Sequence, residues 1–108
     1  MMYSDDMPTN AEARRALNTI RRCVASDRIR LTRHFRVRLA ERGAFWTDVS
    51  AVIDSPVSVK GDGVDDVGRS RWIVSGKAAD GAAMGLVCAI GRDSAGELTV
   101  FITAFWED

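Results

Sequence analysis

The chain changes its pattern at Ser55-Pro56, and this boundary limits the possible folds more than any other feature. Before it, apolar residues recur at steps of three and four, which is typical of amphipathic helices. After it, the chain is rich in β-forming side chains, and short segments with Gly and Asp separate them as turns do. A residue before proline avoids helical backbone angles, so the last helix should end here. Helices followed by strands predict an α+β fold.

The first helix is predicted from about residue 10 to residue 25. Thr9 stands three residues before Glu12, which is the spacing of a capping box at a helix start. The apolar residues of the segment share one side of such a helix. We therefore expect the helix to cover an apolar surface with Ala13, Ala16, Leu17, Ile20, Cys23 and Val24.

Two shorter helices are predicted before the boundary. Residues 27–32, with the sequence DRIRLT, indicate a short extended link. Thr32 can cap a helix that runs to about Arg42, because Gly43 suits the left-handed position after a last turn. Thr47 can cap a third helix with the sequence DVSAVID. The first half of the chain therefore supplies two or three helices.

Four strands in consecutive antiparallel order are the simplest arrangement of the second half. The last of them is apolar on both faces, which predicts a position inside the sheet. The predicted fold is α+β, with two or three N-terminal helices packed on a four-stranded antiparallel sheet. Residues 9–108 are expected to form this single domain, and residues 1–8 a flexible N-terminus. The four predicted strands are residues 57–60, 69–78, 82–90 and 97–106.

Composition and charge bear on the location and on the partners of the protein. No stretch approaches the roughly 20 apolar residues of a membrane span, and the start, MMYSDDMPTN, lacks the order of a signal peptide. We therefore expect a cytoplasmic protein without a membrane partner. The formal net charge is zero, but residues 1–42 sum to +5 (ten Arg, five acidic) and residues 43–108 to −5 (five basic, ten acidic). Such a split can form a basic face that attracts a polyanion.

Metal and cofactor sites are not predicted. Cys23 and Cys88 are far apart and have no metal-ligand spacing around them, so both are interpreted as buried small hydrophobic residues. Asp62, Asp65 and Asp66 are close together, but their spacing is not that of a calcium loop, which favours an exposed turn. No phosphate-binding glycine loop or dinucleotide motif is present either.

The segment TRHFRVRLAERG holds the only histidine of the chain among four arginines. On a helix, His34, Arg38 and Arg42 fall within an arc of about 80° beside the apolar Phe35 and Leu39. Guanidinium groups bind phosphate through paired N–H donors, and an imidazole can exchange a proton near neutrality. The alternative is structural: the arginine stems cover the edge of the core and pair with acids, while the histidine is half-buried.

The spacing His34-x-x-x-Arg38-x-x-x-Arg42-Gly43, the helix end at Ser55-Pro56 and the final TVFITAFWED resemble a small bacterial family, domain of unknown function 4258. The layout is also similar to the MqsR and RelE-like toxin ribonucleases, in which helices pack on a four-stranded antiparallel sheet. The resemblance covers about residues 10–108. It implies metal-independent cleavage of single-stranded or messenger RNA by the toxin of a type II toxin–antitoxin system, which a protein antitoxin holds inactive.

The resemblance also implies site residues. Attack of a 2′-hydroxyl on the adjacent phosphate requires a base, a charge-stabilising cation and an acid. His34, Arg38 and Arg42 are the catalytic candidates, with His34 as base or acid. Contacts to RNA are predicted for Lys60, Arg71 and Trp72, and Trp106 is a further candidate for base stacking.

Each of these strand residues has a structural alternative. Lys60 can simply end a strand at the surface, Arg71 can pair with Asp65 or Asp66, and the tryptophans can belong to the core. The chain also departs from the toxin pattern, because no ionisable side chain stands near the end of the sheet at the expected place. Glu41 and Glu107 are the candidates to replace it.

Two other functions remain open at this point. A non-catalytic module on the same scaffold can bind a protein partner through the helix face or an exposed sheet edge. Duplex DNA binding by the basic helix is a further possibility, although no helix-turn-helix pair is apparent.

Overall fold

The computed structural model describes residues 10–107. The predictions for residues 1–8 and for the Thr9 cap lie outside this range. Three helices precede most of the strands, and one short strand lies between the first two helices. The elements are α1 (Asn10–Ala25), β1 (Ile29–Leu31), α2 (Arg33–Glu41), α3 (Trp46–Asp54), β2 (Pro56–Val64), β3 (Ser70–Lys77), β4 (Ala83–Asp93) and β5 (Gly96–Trp106).

The sheet is five-stranded and mixed, with the order β1-β5-β4-β3-β2. Strands β2 to β5 form the predicted antiparallel series. The prediction of four antiparallel strands was wrong in one respect, because β1 pairs in parallel with β5, with Ile29 opposite Thr99 and Leu31 opposite Phe101. The segment predicted as an extended link is therefore an edge strand, and β5 lies inside the sheet as predicted.

All three helices cover one face of the sheet. Their buried residues Ile20, Phe35 and Val52 join alternate residues of β3, β4 and β5 in a single core cluster. Phe101 lies at its centre, with ring centroids 5.4 Å from Phe35 and 5.5 Å from Trp46. The other face has a smaller apolar cluster, to which no helix among residues 10–107 contributes a buried residue: Ala89, Leu98 and Val100, with Ile102 packed against them.

The ends of α2 and α3 test the capping predictions. Thr32 caps α2, since its Oγ1 accepts a hydrogen bond from the backbone N–H of Phe35 at 3.0 Å. Gly43 follows α2 with φ +63°, the left-handed conformation that its position requires. The predicted Thr47 cap of α3 was wrong: the cap is Phe45, and its N–H donates to Asp48 Oδ2 at 2.9 Å. The carboxylate of the third helical residue thus satisfies the N–H of the cap residue, which is one half of a capping box.

Both cysteines are buried, with 4% of Cys23 and 0% of Cys88 exposed, and both are free. Burial raises the pKa of the Cys88 thiol, because the interior does not solvate a thiolate. They are small core residues, as predicted. Among the described residues, no helix is long and apolar enough to cross a membrane.

Candidate nucleic-acid interface

Helix α2 is attached to the second half of β5 at its first turn. Thr32 Oγ1 donates to the Ile102 carbonyl oxygen at 2.8 Å while it caps the helix, and the Thr32 N–H donates to the Phe101 carbonyl at 3.1 Å. Phe35 is fully buried one turn later. These contacts fix the position of the flank of α2 that contains His34, Arg38 and Arg42, which we call the α2 flank.

Arg38 occupies the middle of the α2 flank and is half-buried. Its Nε donates to the Ala104 carbonyl oxygen of β5 at 3.2 Å, and its Nη1 lies 3.2 Å from Glu41 Oε1. A charged donor on a strand carbonyl holds the helix against the sheet as well as placing a cation at the surface. Arg38 therefore has a structural contact in addition to any contact with a ligand.

Arg42 follows the last residue of α2, where its guanidinium carbon lies over the ring of Trp106 at 5.0 Å from the centroid. Attraction between a cation and the face of an indole ring depends on the positive charge and does not consume the N–H donors. Arg42 is thus held at the end of β5 with its positive charge over Trp106. Trp106, a candidate for base stacking, has one face occupied by this arginine.

His34 is exposed near the start of the α2 flank. Within residues 10–107 its imidazole forms no hydrogen bond or ion pair with another residue. Glu41 pairs with Arg38, and Glu107 is exposed beyond β5, where its N–H donates to the Ala83 carbonyl at 3.1 Å. The imidazole is therefore available to a ligand, and neither glutamate makes a described contact with it.

Further cations surround the α2 flank. Arg33 and Arg36 are exposed on α2, and neither forms an ion pair in the described part of the chain. Arg30 is exposed on β1. Arg28 just before β1 is bound to Asp93, and this hydrogen bond holds the pKa of that carboxyl below its usual value. The edge of the molecule formed by β1 and α2 is therefore strongly basic.

The predicted RNA contacts on the strands lie elsewhere. Trp72 is 8% exposed on the helix-covered face, and its indole N–H donates to Ser70 Oγ at 3.3 Å. Arg71 lies two inter-strand spacings across the sheet and five residues along it from Trp106, which is roughly 20 Å. Lys60 is exposed one strand further away, on β2. The structure thus brings His34, Arg38 and Arg42 together and leaves Lys60, Arg71 and Trp72 apart from them.

The acidic segment between β2 and β3 is occupied by ion pairs. Arg71 Nη2 lies 3.0 Å from Asp62 Oδ2, so its partner is Asp62 and not the predicted Asp65 or Asp66. Asp65 pairs with Arg69 at 2.5 Å. Partial burial alone raises the pKa of Asp65, but the N–H donors of Arg69 and Val67 outweigh it and lower the pKa. No group of metal-ligating side chains is found among residues 10–107.

Two features of this surface were not predicted from the sequence: the contact between Arg42 and Trp106, and the contribution of Arg33 and Arg36. The contact between Arg42 and Trp106 depends on where β5 ends relative to α2, which no local pattern reveals. Arg33 stands one residue before His34, and Arg36 stands two residues after it. Their positive charge could therefore have been assigned to the site from the sequence alone.

The fold and this surface define a class: a small α+β domain whose mixed sheet is flanked at one edge by a short basic helix. The chain belongs to the family described as Domain of unknown function (DUF4258), whose model matches residues 31–106. The match begins at the end of β1 and includes α2 with all three residues of the α2 flank. No curated protein and no solved structure is significantly similar to the chain.

Proposed function

We propose that the protein is a toxin-like, metal-independent endoribonuclease that cleaves single-stranded or messenger RNA at the α2 flank. The observation that supports this function is the exposed His34 imidazole, one helical turn from Arg38 and on the same side as Arg42. A titratable group beside two fixed cations is the minimum that phosphodiester cleavage by a 2′-hydroxyl requires. Likeness to the MqsR and RelE-like toxins is part of this proposal.

His34 acts in the proposed reaction as the base. It accepts the 2′-hydroxyl proton while the oxygen bonds to phosphorus and the bond from phosphorus to the 5′ oxygen breaks. The products are a 2′,3′-cyclic phosphate and a 5′-hydroxyl, whose proton comes from the imidazolium or from water. Arg42 and the Nη2 group of Arg38 stabilise the extra negative charge on the phosphorane oxygens. Arg33 and Arg36 attract the RNA backbone.

A messenger RNA substrate requires the cytoplasmic location that the sequence predicts. A ribonuclease of this kind also needs control, and we propose a protein antitoxin that covers the α2 flank. The basic charge of α2 makes an acidic segment of such a partner the natural match.

Cleavage of RNA by the purified protein tests the proposal. The chain is incubated with a labelled single-stranded RNA in EDTA, and the 3′ ends of the products are analysed for the cyclic phosphate. Replacement His34→Ala should lower the rate by roughly 10²- to 10⁴-fold, the usual contribution of a general base. The matched control is Arg92→Ala, an exposed basic residue on β4 outside the α2 flank, which should leave the rate unchanged.

Two results would count against a ribonuclease. RNA that stays intact under all ionic conditions, with no growth arrest when the protein is expressed, leaves the non-catalytic interaction module as the better description. Full cleavage by the His34→Ala variant would show that the activity belongs to another site or to a contaminant.

A further inference from the structure

A second surface lies at the opposite edge of the sheet from α2. A groove of about 970 Å³ runs between α1 and the edge strand β2, and we call it the α1–β2 groove. Since β1 and β2 are the two outer strands of the five-stranded sheet, the groove is separated from the α2 flank by the width of the sheet. Its lining consists of Asn10, Ala13, Arg14 and Leu17 of α1 and residues 56–61 of β2.

The open backbone edge of β2 borders the groove. Strand β2 pairs with β3 alone, so its other edge has no partner strand among residues 10–107. Six consecutive residues of β2 line the groove, and consecutive residues of a strand point to opposite faces. The strand must therefore present its edge to the groove, together with side chains of both faces.

The length of regular strand at this edge is short. Irregularities between Pro56 and Ser58 and between Gly61 and Val64 interrupt the pairing with β3 on either side. Between them, residues 58–61 keep a regular register. An added strand can pair with roughly four to six residues here, and the bulges limit longer edge-to-edge association.

The side chains of the groove are mainly apolar. Val57 is 78% exposed, which is unusual for a large aliphatic residue, and Val59 and Leu17 are half-buried beside it. The ionisable side chains that line the groove are Arg14 and Lys60, both exposed. Within residues 10–107 neither has an acidic partner.

These two cations select among the possible occupants. A second copy paired through β2 would bring Arg14 and Lys60 of each chain near the same cations of the other, and a lysine on an edge strand opposes such self-pairing. Val59 packs against the helix-side core, so its neighbour Lys60 points to the other face. A partner strand that alternates apolar side chains with carboxylates can therefore direct the apolar ones toward Leu17 and the carboxylates toward Lys60. The chemistry of the groove is thus complementary to an acidic, alternating peptide.

We propose that the α1–β2 groove binds an extended segment of a partner protein, which pairs with residues 58–61 as a sixth strand, packs apolar side chains against Leu17 on the helix-covered face, and places carboxylates near Lys60 on the opposite face. This peptide-binding surface is additional to the proposed ribonuclease site and does not depend on it. A chain that fails to cleave RNA can still bind the peptide.

The test uses a capped eight-residue peptide in which valine alternates with glutamate, and a second peptide with lysine in place of glutamate. Binding to the full chain is followed by fluorescence anisotropy, and the binding site by amide hydrogen exchange. The glutamate peptide should bind better than the lysine peptide and should slow exchange at residues 58–61. Replacement Lys60→Glu should weaken binding of the glutamate peptide by roughly three- to tenfold and strengthen that of the lysine peptide, as expected for one reversed cross-strand charge pair.

Arg92→Glu is the matched control, because it reverses an exposed charge on β4 outside the groove. The affinity of this variant for each peptide should stay within about twofold of that of the native chain. If the Lys60→Glu variant binds both peptides with the same affinity as the native chain, the proposal is wrong. Some amides of residues 58–61 are protected by pairing with β3, so the informative ones are those that point away from β3. Slow exchange of these outward amides in the peptide-free monomer would show that the chain's own N-terminus covers this edge. Slow exchange that appears only together with a dimer would show that a second copy does.

Discussion

Thr32 joins two elements through one hydroxyl group. Its Oγ1 accepts from the Phe35 N–H and donates to the Ile102 carbonyl, so the cap of α2 and the attachment of α2 to β5 use the same atom. Each contact is of a kind that contributes roughly 1 kcal/mol. The position of the α2 flank on the sheet depends on both.

Replacement Thr32→Ala should therefore lower the free energy of unfolding by about 2 kcal/mol. Thr32→Ser keeps the hydroxyl and should lose less than about 1 kcal/mol. Urea denaturation of the three proteins measures the difference. Equal stability of the alanine and serine variants would show that the hydroxyl contributes nothing.

Phe35 anchors the apolar side of α2. It is fully buried, and its ring packs on Phe101 at the centre of the core. Replacement Phe35→Ala leaves a cavity and should cost about 3–5 kcal/mol in the free energy of unfolding. Val37, on the exposed side of the same helix, is 44% exposed, and Val37→Ala should change that free energy by less than about 1 kcal/mol. Similar losses for both variants would mean that α2 is oriented differently.

Among the elements, β1 is the one that sequence patterns did not reveal. Three residues are too few to show a two-residue period, and Ile29–Leu31 becomes a strand only by pairing with β5 about 70 residues later. The interior position of β5 could be predicted, because a strand buried on both sides has apolar residues at Leu98 and Val100 as well as at Phe101. Local patterns thus indicate what a segment prefers, and distant partners decide whether it pairs.

The same limit applies to the candidate site. His34, Arg38 and Arg42 belong to one local repeat, so their common flank could be predicted from helical spacing alone. To decide whether Lys60 and Trp72 also belong to the site, one must know the order of the strands and the sheet face on which each residue lies. That order is set by pairing across the whole sheet, and it places these residues far from α2.

The ion pair between Arg28 and Asp93 connects the segment before β1 to the turn between β4 and β5. The Arg28 hydrogen bond lowers the pKa of Asp93, and the Ala95 N–H adds to this effect. A carboxyl with a lowered pKa in the folded state stabilises the fold above its ordinary pKa of about 4. This contribution is lost as the pH falls through the lowered value, because the carboxyl is then protonated in both states.

Replacement Asp93→Asn should therefore lower the melting temperature at pH 7, and the difference from the native chain should shrink as the pH falls through the lowered pKa of the Asp93 carboxyl. Thermal unfolding followed by circular dichroism across this range checks both parts. Asp54→Asn is the control, since Asp54 is exposed and its carboxylate forms no ion pair in the described residues. A difference that stays the same throughout the acid range would mean that the Asp93 carboxylate is not the cause.

At the scale of the whole molecule, a net charge of zero conceals a separation of charge between regions. Residues 27–42 contain six arginines and only two acids, Asp27 and Glu41. The fold gathers them at the β1 and α2 edge, whereas Asp62, Asp65 and Asp66 lie by the β2–β3 turn on the other side of the sheet. The charge asymmetry of the sequence therefore becomes an asymmetry of the surface.

This arrangement predicts how RNA binding responds to salt. Each cation that contacts a phosphate of single-stranded RNA releases counterions and contributes about −0.7 to the slope of log K against log salt concentration. If Arg33 and Arg36 make such contacts, the double replacement Arg33→Gln and Arg36→Gln should reduce the magnitude of the slope by roughly 1.4. The measurement is made on the His34→Ala background, so that the labelled RNA stays intact.

The control removes the same charge elsewhere, by the replacements Lys77→Gln and Arg92→Gln at exposed positions of β3 and β4. These should weaken binding slightly through the overall field but leave the slope nearly unchanged, because counterion release depends on contact with phosphates. Equal slopes in the two double variants would show that the backbone of the RNA does not lie along α2. The ribonuclease proposal would then lose its substrate path, since His34 can accept a proton only from an RNA that the adjacent arginines hold.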